Sequence, residues 1–73
     1  MTMGEWVRDL RARTGLTQKA LGERIGLKTN SVALLESGYR CPSQSAIILM
    51  RQMSDLLGMP EPPSCTSKAA KQD

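Results

Sequence analysis

The sequence predicts an all-α fold, a compact bundle of four to five helices, on three observations. Apolar residues recur at the three- and four-residue spacing typical of helices, no stretch alternates with the two-residue period of a strand, and glycines follow the periodic stretches as helix C-caps do. The chain has 73 residues, which allows one domain with one small core. Trp6 and Tyr39 are its only aromatic residues, so this core must be largely aliphatic.

Four periodic stretches define the expected helices. They cover residues 3–13, Gln18 to about Ile25, Lys28 or Thr29 to Ser37, and about Gln44 to Leu57. Hydroxyl side chains that can cap a helix precede the second and fourth stretches, at Thr17 and at Ser43 or Ser45. In the first three helices and the turn between the second and third, the residues expected to face the core are Met3, Val7, Leu10, Leu21, Ile25, Leu27, Val32 and Leu35.

The fourth stretch carries more apolar residues than one core stripe needs. On a helical wheel, one arc of roughly 120° contains the residues that we expect to be buried. They are Ala46, Leu49, Met50, Met53, Leu56 and Leu57. Ile47 and Ile48 fall outside this arc, which predicts a homodimer interface through these two side chains. The alternative is that they pack under the loop 39–44 or against Trp6, itself expected to be partly buried core.

The composition changes after Met59. Residues 60–73 are rich in proline and serine and have no periodic apolar pattern, so we expect a domain of residues 1–59 followed by a disordered tail. The charges of the tail cancel, so that the net charge of +3 resides in the domain. A basic excess in so small a domain suits a polyanionic partner.

The two cysteines, Cys41 and Cys65, match no metal-ligand spacing, and the chain has no histidine. We expect free thiols in a reducing cytoplasm, with a disulfide as the alternative. No apolar run is long enough to span a membrane, and the N-terminus does not have the pattern of a signal peptide. With no histidine and no glycine-rich phosphate loop, the chain is not expected to be an enzyme, and no cofactor, metal or small-molecule ligand is indicated.

Residues 18–36 contain the pattern that indicates function. Apolar positions on two short helices face each other across a turn at Gly26, and Gly22 is small where the helices must approach closely. The start of the third helix then exposes Lys28, Thr29, Asn30, Ser31 and Ala33. Short polar side chains of this kind can bond base edges, and no acidic residue follows Arg24 before Leu35 to repel phosphate. This predicts a DNA-reading helix in the major groove; the alternative is an ordinary solvent-exposed helix.

Several elements together resemble the phage repressor and Cro-like family of helix-turn-helix regulators. The elements are Val7-x-x-Leu10-Arg11, Gly15-Leu16-Thr17-Gln18, Leu21-Gly22, Ile25-Gly26-Leu27, Val32, Leu35-Glu36-x-Gly38 and Pro42-Ser43. The resemblance implies a lambda repressor-like domain that binds double-stranded operator DNA as a homodimer. It implies that bases are read by Thr29, Asn30, Ala33 and Leu34. It implies that phosphates are held by Gln18, Lys19, Lys28, Ser31 and Arg40, and that Arg11 and Glu36 form a structural ion pair.

The chain also departs from the usual family pattern. The family commonly has alanine where Gly22 stands and a polar or basic residue where Leu34 stands. The loop and helix from Pro42 to Arg51 resemble those of antitoxin-type regulators and small repressors of anti-CRISPR operons. The expected function is a cytoplasmic, sequence-specific transcriptional regulator, a repressor that acts on a palindromic operator. The alternative is a protein-interaction module, an antitoxin or adaptor, that reuses the fold.

Overall fold

The structure, a computed structural model, describes residues 1–65, and these form four helices and no strand. The helices are α1 (Met3–Thr14), α2 (Gln18–Ile25), α3 (Thr29–Ser37) and α4 (Gln44–Leu57). Helix α3 packs against α1 and α2, and α4 packs against the same two helices. The predicted all-α fold is confirmed, with helix boundaries within a residue or two of those expected.

Side-chain caps explain where three of the helices begin. Thr2 and Glu5 form a capping box at α1, in which each side chain bonds the other residue's backbone N–H, at 3.1 and 2.9 Å. The hydrogen bond from the Thr2 backbone lowers the pKa of Glu5 below its ordinary value. Thr17 and Ser43 cap α2 and α4 through their hydroxyls. The N-cap of α3 is Lys28, which makes no side-chain capping bond.

The core lies between the four helices and includes Trp6, which is completely buried. The expectation that Trp6 belongs to the core is confirmed, and the side chain is more deeply buried than expected. The buried hydrophobic residues are Met3, Trp6, Val7, Leu10, Leu21, Ile25, Val32, Leu35, Ala46, Met50 and Met59. Leu27 is partly buried and packs against this core from the turn between α2 and α3.

The buried face of α4 differs from the wheel prediction. Its buried residues are Ala46, Met50 and Ser54, with Met53 partly buried. Leu49, Leu56 and Leu57 were expected in the core, but they are 38%, 90% and 37% exposed. Ser54 can take a core position because its hydroxyl donates a hydrogen bond of 3.0 Å to the Arg51 carbonyl within the helix. A helical wheel that assigns burial by polarity leaves Ser54 out of the buried set. The predicted buried arc of α4 therefore shifts toward the leucines.

The two isoleucines of α4 do not share one environment. Ile48 lies off the core, as predicted, with 47% of its surface exposed. Ile47 is partly buried, so only its neighbour presents a largely free apolar surface.

Residues 59–65, here called the C-terminal strap, run back over the domain after α4. Met59 is buried, and the indole Nε1 of Trp6 donates a hydrogen bond of 3.0 Å to the carbonyl of Pro60. A buried indole N–H needs an acceptor, and the strap supplies it at Pro60. The division into a domain of residues 1–59 and a disordered tail of residues 60–73 stays a prediction. The rest of the predicted tail, residues 66–73, lies outside the described residues.

The expectation of two free thiols is wrong. Cys41 and Cys65 form a disulfide, with their α-carbons 5.7 Å apart and a sequence separation of 24. The strap brings Cys65 to the loop between α3 and α4, a tertiary contact that the spacing of two cysteines does not reveal.

Candidate nucleic-acid interface

The turn between α2 and α3 brings the two helices into close contact. Gly26 ends α2 with a φ of 78°, a left-handed conformation that glycine adopts without steric cost. The next residue, Leu27, donates its backbone N–H to the Gly22 carbonyl at 2.7 Å. A β-carbon on Gly22 would collide with the carbonyl oxygen of Leu27 and press against Val32. Glycine at position 22 therefore sets how closely α3 and the turn approach α2.

One face of α3 is free of the core. Val32, Leu35 and Glu36 are the buried residues of this helix. Three of the predicted base-reading residues lie on the opposite face: Asn30, which is exposed, and Ala33 and Leu34, which are partly buried. The fourth, Thr29, is exposed at the first position of the helix, on the side of Glu36. Ser37 is exposed two turns after Asn30, on the same face as that residue. The sequence analysis did not include Ser37 among the candidates, although its seven-residue spacing from Asn30 was a usable signal.

Most of the predicted phosphate-binding side chains are also at the surface. Lys19, Lys28 and Arg40 are exposed, and Ser31 is partly buried. The Arg40 guanidinium Nη1 donates a hydrogen bond of 3.4 Å to the Ser31 hydroxyl, which places this cation beside α3. Lys28 is the N-cap of the same helix, three residues before Ser31, so that two cations lie near the start of α3.

Gln18 has a different environment from the other predicted phosphate contacts. Its amide Nε2 donates a hydrogen bond of 3.0 Å to Glu36 Oε1, so that the side chain links the start of α2 to α3 inside the domain. The structure thus assigns this side chain an internal contact that the sequence analysis did not anticipate.

Glu36 is held by a set of donors behind the exposed face. Arg11 donates from Nε to Oε2 at 2.6 Å and from Nη2 to Oε1 at 3.3 Å. This brings the two residues of the expected ion pair into contact and ties α1 to α3. Arg8 adds a longer ion pair of 3.9 Å and a hydrogen bond to the Glu36 backbone carbonyl.

The pKa of Glu36 reflects two opposing effects. Burial by itself raises the pKa, but hydrogen bonds from Arg11 and Gln18, together with the charges of Arg11 and Arg8, outweigh burial and lower the pKa below its ordinary value. The carboxylate is therefore charged and neutralised by its partners near neutral pH. As the one acidic residue of α3, it leaves no unpaired negative charge on this helix.

Within residues 1–65, no group of three or more histidine, cysteine, aspartate or glutamate side chains is placed to hold a metal ion. None of the described helices combines the length and hydropathy that a membrane crossing requires.

Two crossed helices joined by a tight turn, with a polar face on the second, define a helix-turn-helix DNA-binding domain. The profile of the helix-turn-helix family (HTH_3) matches residues 7–60, and the chain belongs to this family. This is a family of DNA-binding transcriptional regulators and not of enzymes, in agreement with the class that the sequence predicts.

A curated relative matches a shorter region. The uncharacterized HTH-type transcriptional regulator YgzD of Bacillus subtilis (strain 168) is 46% identical over 37 residues, which make up 51% of this chain and 56% of the relative. The chain thus spans just over half the length of that relative. No solved structure matches the chain significantly.

Proposed function

We propose that this chain is a sequence-specific transcriptional regulator, a repressor that binds a palindromic operator with α3 in the major groove. The observation that carries the proposal is the exposed face of α3, where short polar and apolar side chains lie close to the cations Lys28 and Arg40. The relative's name, which describes an HTH-type transcriptional regulator, supports the same class.

Base recognition follows from the side chains on this face. Asn30 stands in the first turn of α3, where its amide can bond an adenine edge bidentately. Ala33 and Leu34, one turn further on, offer apolar contact to thymine methyl groups. Leu34 stands where the family commonly has a polar residue, so this chain relies more on methyl contact than a usual member does.

Phosphate contacts hold α3 in register with the groove. Lys28 adds its ammonium to the N-terminus of α3, where the helix dipole also favours an anion. Arg40 and Ser31 form a second contact near the loop after α3, and Lys19 a third at the start of α2. These contacts supply affinity for any duplex, whereas the bases read by Asn30 supply the preference for one site.

A homodimer is the second part of the proposal. Ile48, Leu49 and Leu56, here called the α4 outer stripe, are 47%, 38% and 90% exposed. Ile48 and Leu49 stand in one turn of α4, and Leu56 lies two turns further on. Exposed apolar side chains on so short a domain favour burial against a second copy, since small DNA readers commonly span two half-sites. Two copies of α3 about 34 Å apart, one turn of DNA, then read the two half-sites of a palindrome.

The test is selection of a binding site from random duplexes, followed by titration of variants at several salt concentrations. Asn30→Ala should cost about 1–3 kcal/mol on the selected site and relax the preference at one position. Lys28→Ala should weaken selected and random duplexes equally and flatten the salt slope by about one unit. Arg13→Ala, which removes an equal charge from the exposed surface of α1, is the matched control and should bind like the wild type.

The competing function is a protein-interaction module of antitoxin or adaptor type. If no duplex is enriched in the selection and weak binding is the same for Asn30→Ala, DNA reading by α3 is wrong. The exposed α4 outer stripe would then be the surface to examine for a protein partner.

A further inference from the structure

The Cys41–Cys65 disulfide connects two segments that have different roles. Cys65 belongs to the C-terminal strap, and Cys41 belongs to the loop that joins α3 to α4. Both cysteines are partly exposed, so that a small thiol can approach the bond. The strap adds nothing to the exposed face of α3 directly, and the bond is its covalent link to the loop next to that face.

The other end of the strap is fixed to the core. Met59 is buried, and Pro60 accepts the hydrogen bond from Trp6. Glu61 forms an exposed ion pair of 3.6 Å with Arg51 of α4. Because these contacts hold the beginning of the strap on the domain, the disulfide at its end attaches the loop to an anchored segment. The bond therefore restricts the position of the loop.

The loop carries one of the proposed phosphate contacts. Arg40 directly precedes Cys41, and its guanidinium reaches the hydroxyl of Ser31 on α3. Leu27, Ser31, Arg40 and Cys41 line one shallow pocket, so the disulfide and the cation share a single small region of the surface. A change in the position of Cys41 therefore changes the position of Arg40 with respect to α3.

We infer that the Cys41–Cys65 disulfide is a redox-controlled clasp that fixes Arg40 beside α3 and raises affinity for DNA in the oxidised state. This inference rests on the proposed DNA-binding function. Cytosolic proteins of mesophilic organisms seldom carry permanent disulfides, and those that occur are usually transient and redox-sensing. A disulfide next to a proposed phosphate contact is placed to regulate DNA binding in this way.

The chemistry is ordinary thiol–disulfide exchange with a cellular dithiol. A thiolate of the dithiol attacks one protein sulfur, the other protein sulfur leaves as a thiolate and takes up a proton, and a mixed disulfide forms. The second thiol of the donor loses its proton and displaces the remaining protein sulfur. Two electrons and two protons pass to the protein, Cys41 and Cys65 become thiols, and the donor becomes a disulfide.

The direction of the effect follows from conformational entropy. In the oxidised protein the loop is tethered before DNA arrives, whereas in the reduced protein binding must order the loop and the Arg40 side chain. We expect reduction to weaken binding about fivefold. Since the contact is to phosphate, selected and random duplexes should be affected alike.

The experiment compares the full chain oxidised with glutathione disulfide and reduced with dithiothreitol. Thiol alkylation and mass spectrometry establish the redox state, circular dichroism establishes folding, and fluorescence anisotropy gives Kd for selected and random duplexes. The double variant Cys41→Ser with Cys65→Ser is the matched control. It should bind like the reduced protein and should not respond to dithiothreitol.

Each outcome separates the clasp from the DNA-binding proposal. Oxidised protein that binds both duplexes about fivefold more tightly than folded reduced protein supports the clasp. Equal Kd values in the two redox states overturn the clasp and leave DNA binding standing, as does tighter binding by the reduced form. A reduced protein that has lost its helical spectrum shows a structural bond and also overturns the clasp. Failure of both forms to bind any duplex refutes the proposed function together with it.

Discussion

The guanidinium of Arg11 bonds both carboxylate oxygens of Glu36, at 2.6 and 3.3 Å, and so joins the first helix to the third. Only 5% of the Glu36 side chain is exposed, against 26% for Arg11. A buried ion pair does not by itself contribute more to the free energy of unfolding than an apolar contact of the same size. Removal of one partner is costly, however, because the other charge is then buried without a counter-charge.

Removal of Arg11 should therefore destabilise the domain far more than removal of a surface arginine. We expect Arg11→Ala to lower the free energy of unfolding by about 2–3 kcal/mol, since Glu36 keeps only Gln18 and the distant Arg8. Arg13→Ala removes an exposed pair with Asp9 on α1 and should cost less than about 0.5 kcal/mol. Urea unfolding measures both, and equal losses would contradict a special role for the Arg11 contact.

The same carboxylate should make stability depend on acid. Because the folded-state pKa of Glu36 lies below the ordinary value of 4.5, its contribution is complete above that value and is lost as the pH falls through the folded pKa. The difference in unfolding free energy between the wild type and Glu36→Gln should thus be largest near pH 7 and narrow below about pH 4.5. A difference that stays constant from pH 7 to pH 3 would show that the charge of Glu36 is not involved.

The helices were predictable because their signals are local. Thr17 and Ser43 cap the helices that they precede, and Gly26 marks the turn by its own conformation. The core side of α3 could also be derived from the three-residue spacing of Val32 and Leu35.

Features that depend on tertiary contacts could not be derived in this way. Burial of Ser54 requires that its hydroxyl be satisfied within α4, a detail that a polarity scale does not contain. The disulfide requires that Cys65 return to Cys41 across the domain, and the return follows from the acceptor that Trp6 needs. The spacing of residues in the sequence shows neither the Cys41–Cys65 contact nor the hydrogen bond from Trp6 to Pro60, so the sequence analysis did not predict the strap.

A single methyl group at Gly22 should test how tightly the helix-turn-helix is packed. Gly22→Ala gains up to about 1 kcal/mol of helix propensity, but its β-carbon meets the Leu27 carbonyl, which belongs to the turn backbone and has little freedom to move. We expect a net loss of about 1–3 kcal/mol. Glu23→Ala, at the next and exposed position, should stay within about 0.5 kcal/mol of the wild type. A more stable Gly22→Ala protein would mean that the turn tolerates the alanine common in the family.

Deletion of residues 60–73 should destabilise the oxidised protein. The deletion removes the disulfide, worth about 3 kcal/mol by loop closure, and the acceptor for the Trp6 indole, worth about 1 kcal/mol. The matched control is Cys65→Ser in the full chain, which loses the cross-link but keeps Pro60. Thermal unfolding in dithiothreitol then isolates the contribution of the strap contacts. Unchanged melting of the deletion variant would support the expectation of an independent tail.

The last prediction concerns the α4 outer stripe and the homodimer. Ile47 is partly buried, so a charge there would disturb folding; Ile48 and Leu56 are 47% and 90% exposed and can be changed with less damage. In a two-fold interface through this stripe, Ile48→Glu with Leu56→Glu places four like charges at the contact and should yield a folded monomer. Sedimentation at micromolar concentration should show a dimer for the wild type and for Ala12→Glu, which adds a charge to the exposed surface of α1.

Operator binding by the same variants connects the stripe to function. A monomer loses the linked second binding event, so the double variant should bind a palindromic site at least about tenfold more weakly than the wild type. Binding to a single half-site should stay unchanged, because the exposed face of α3 is intact. If the wild type sediments as a monomer and still binds the palindrome tightly, the stripe is not a dimer interface. If the double variant unfolds, Ile48 and Leu56 contribute to the core more than their exposure indicates.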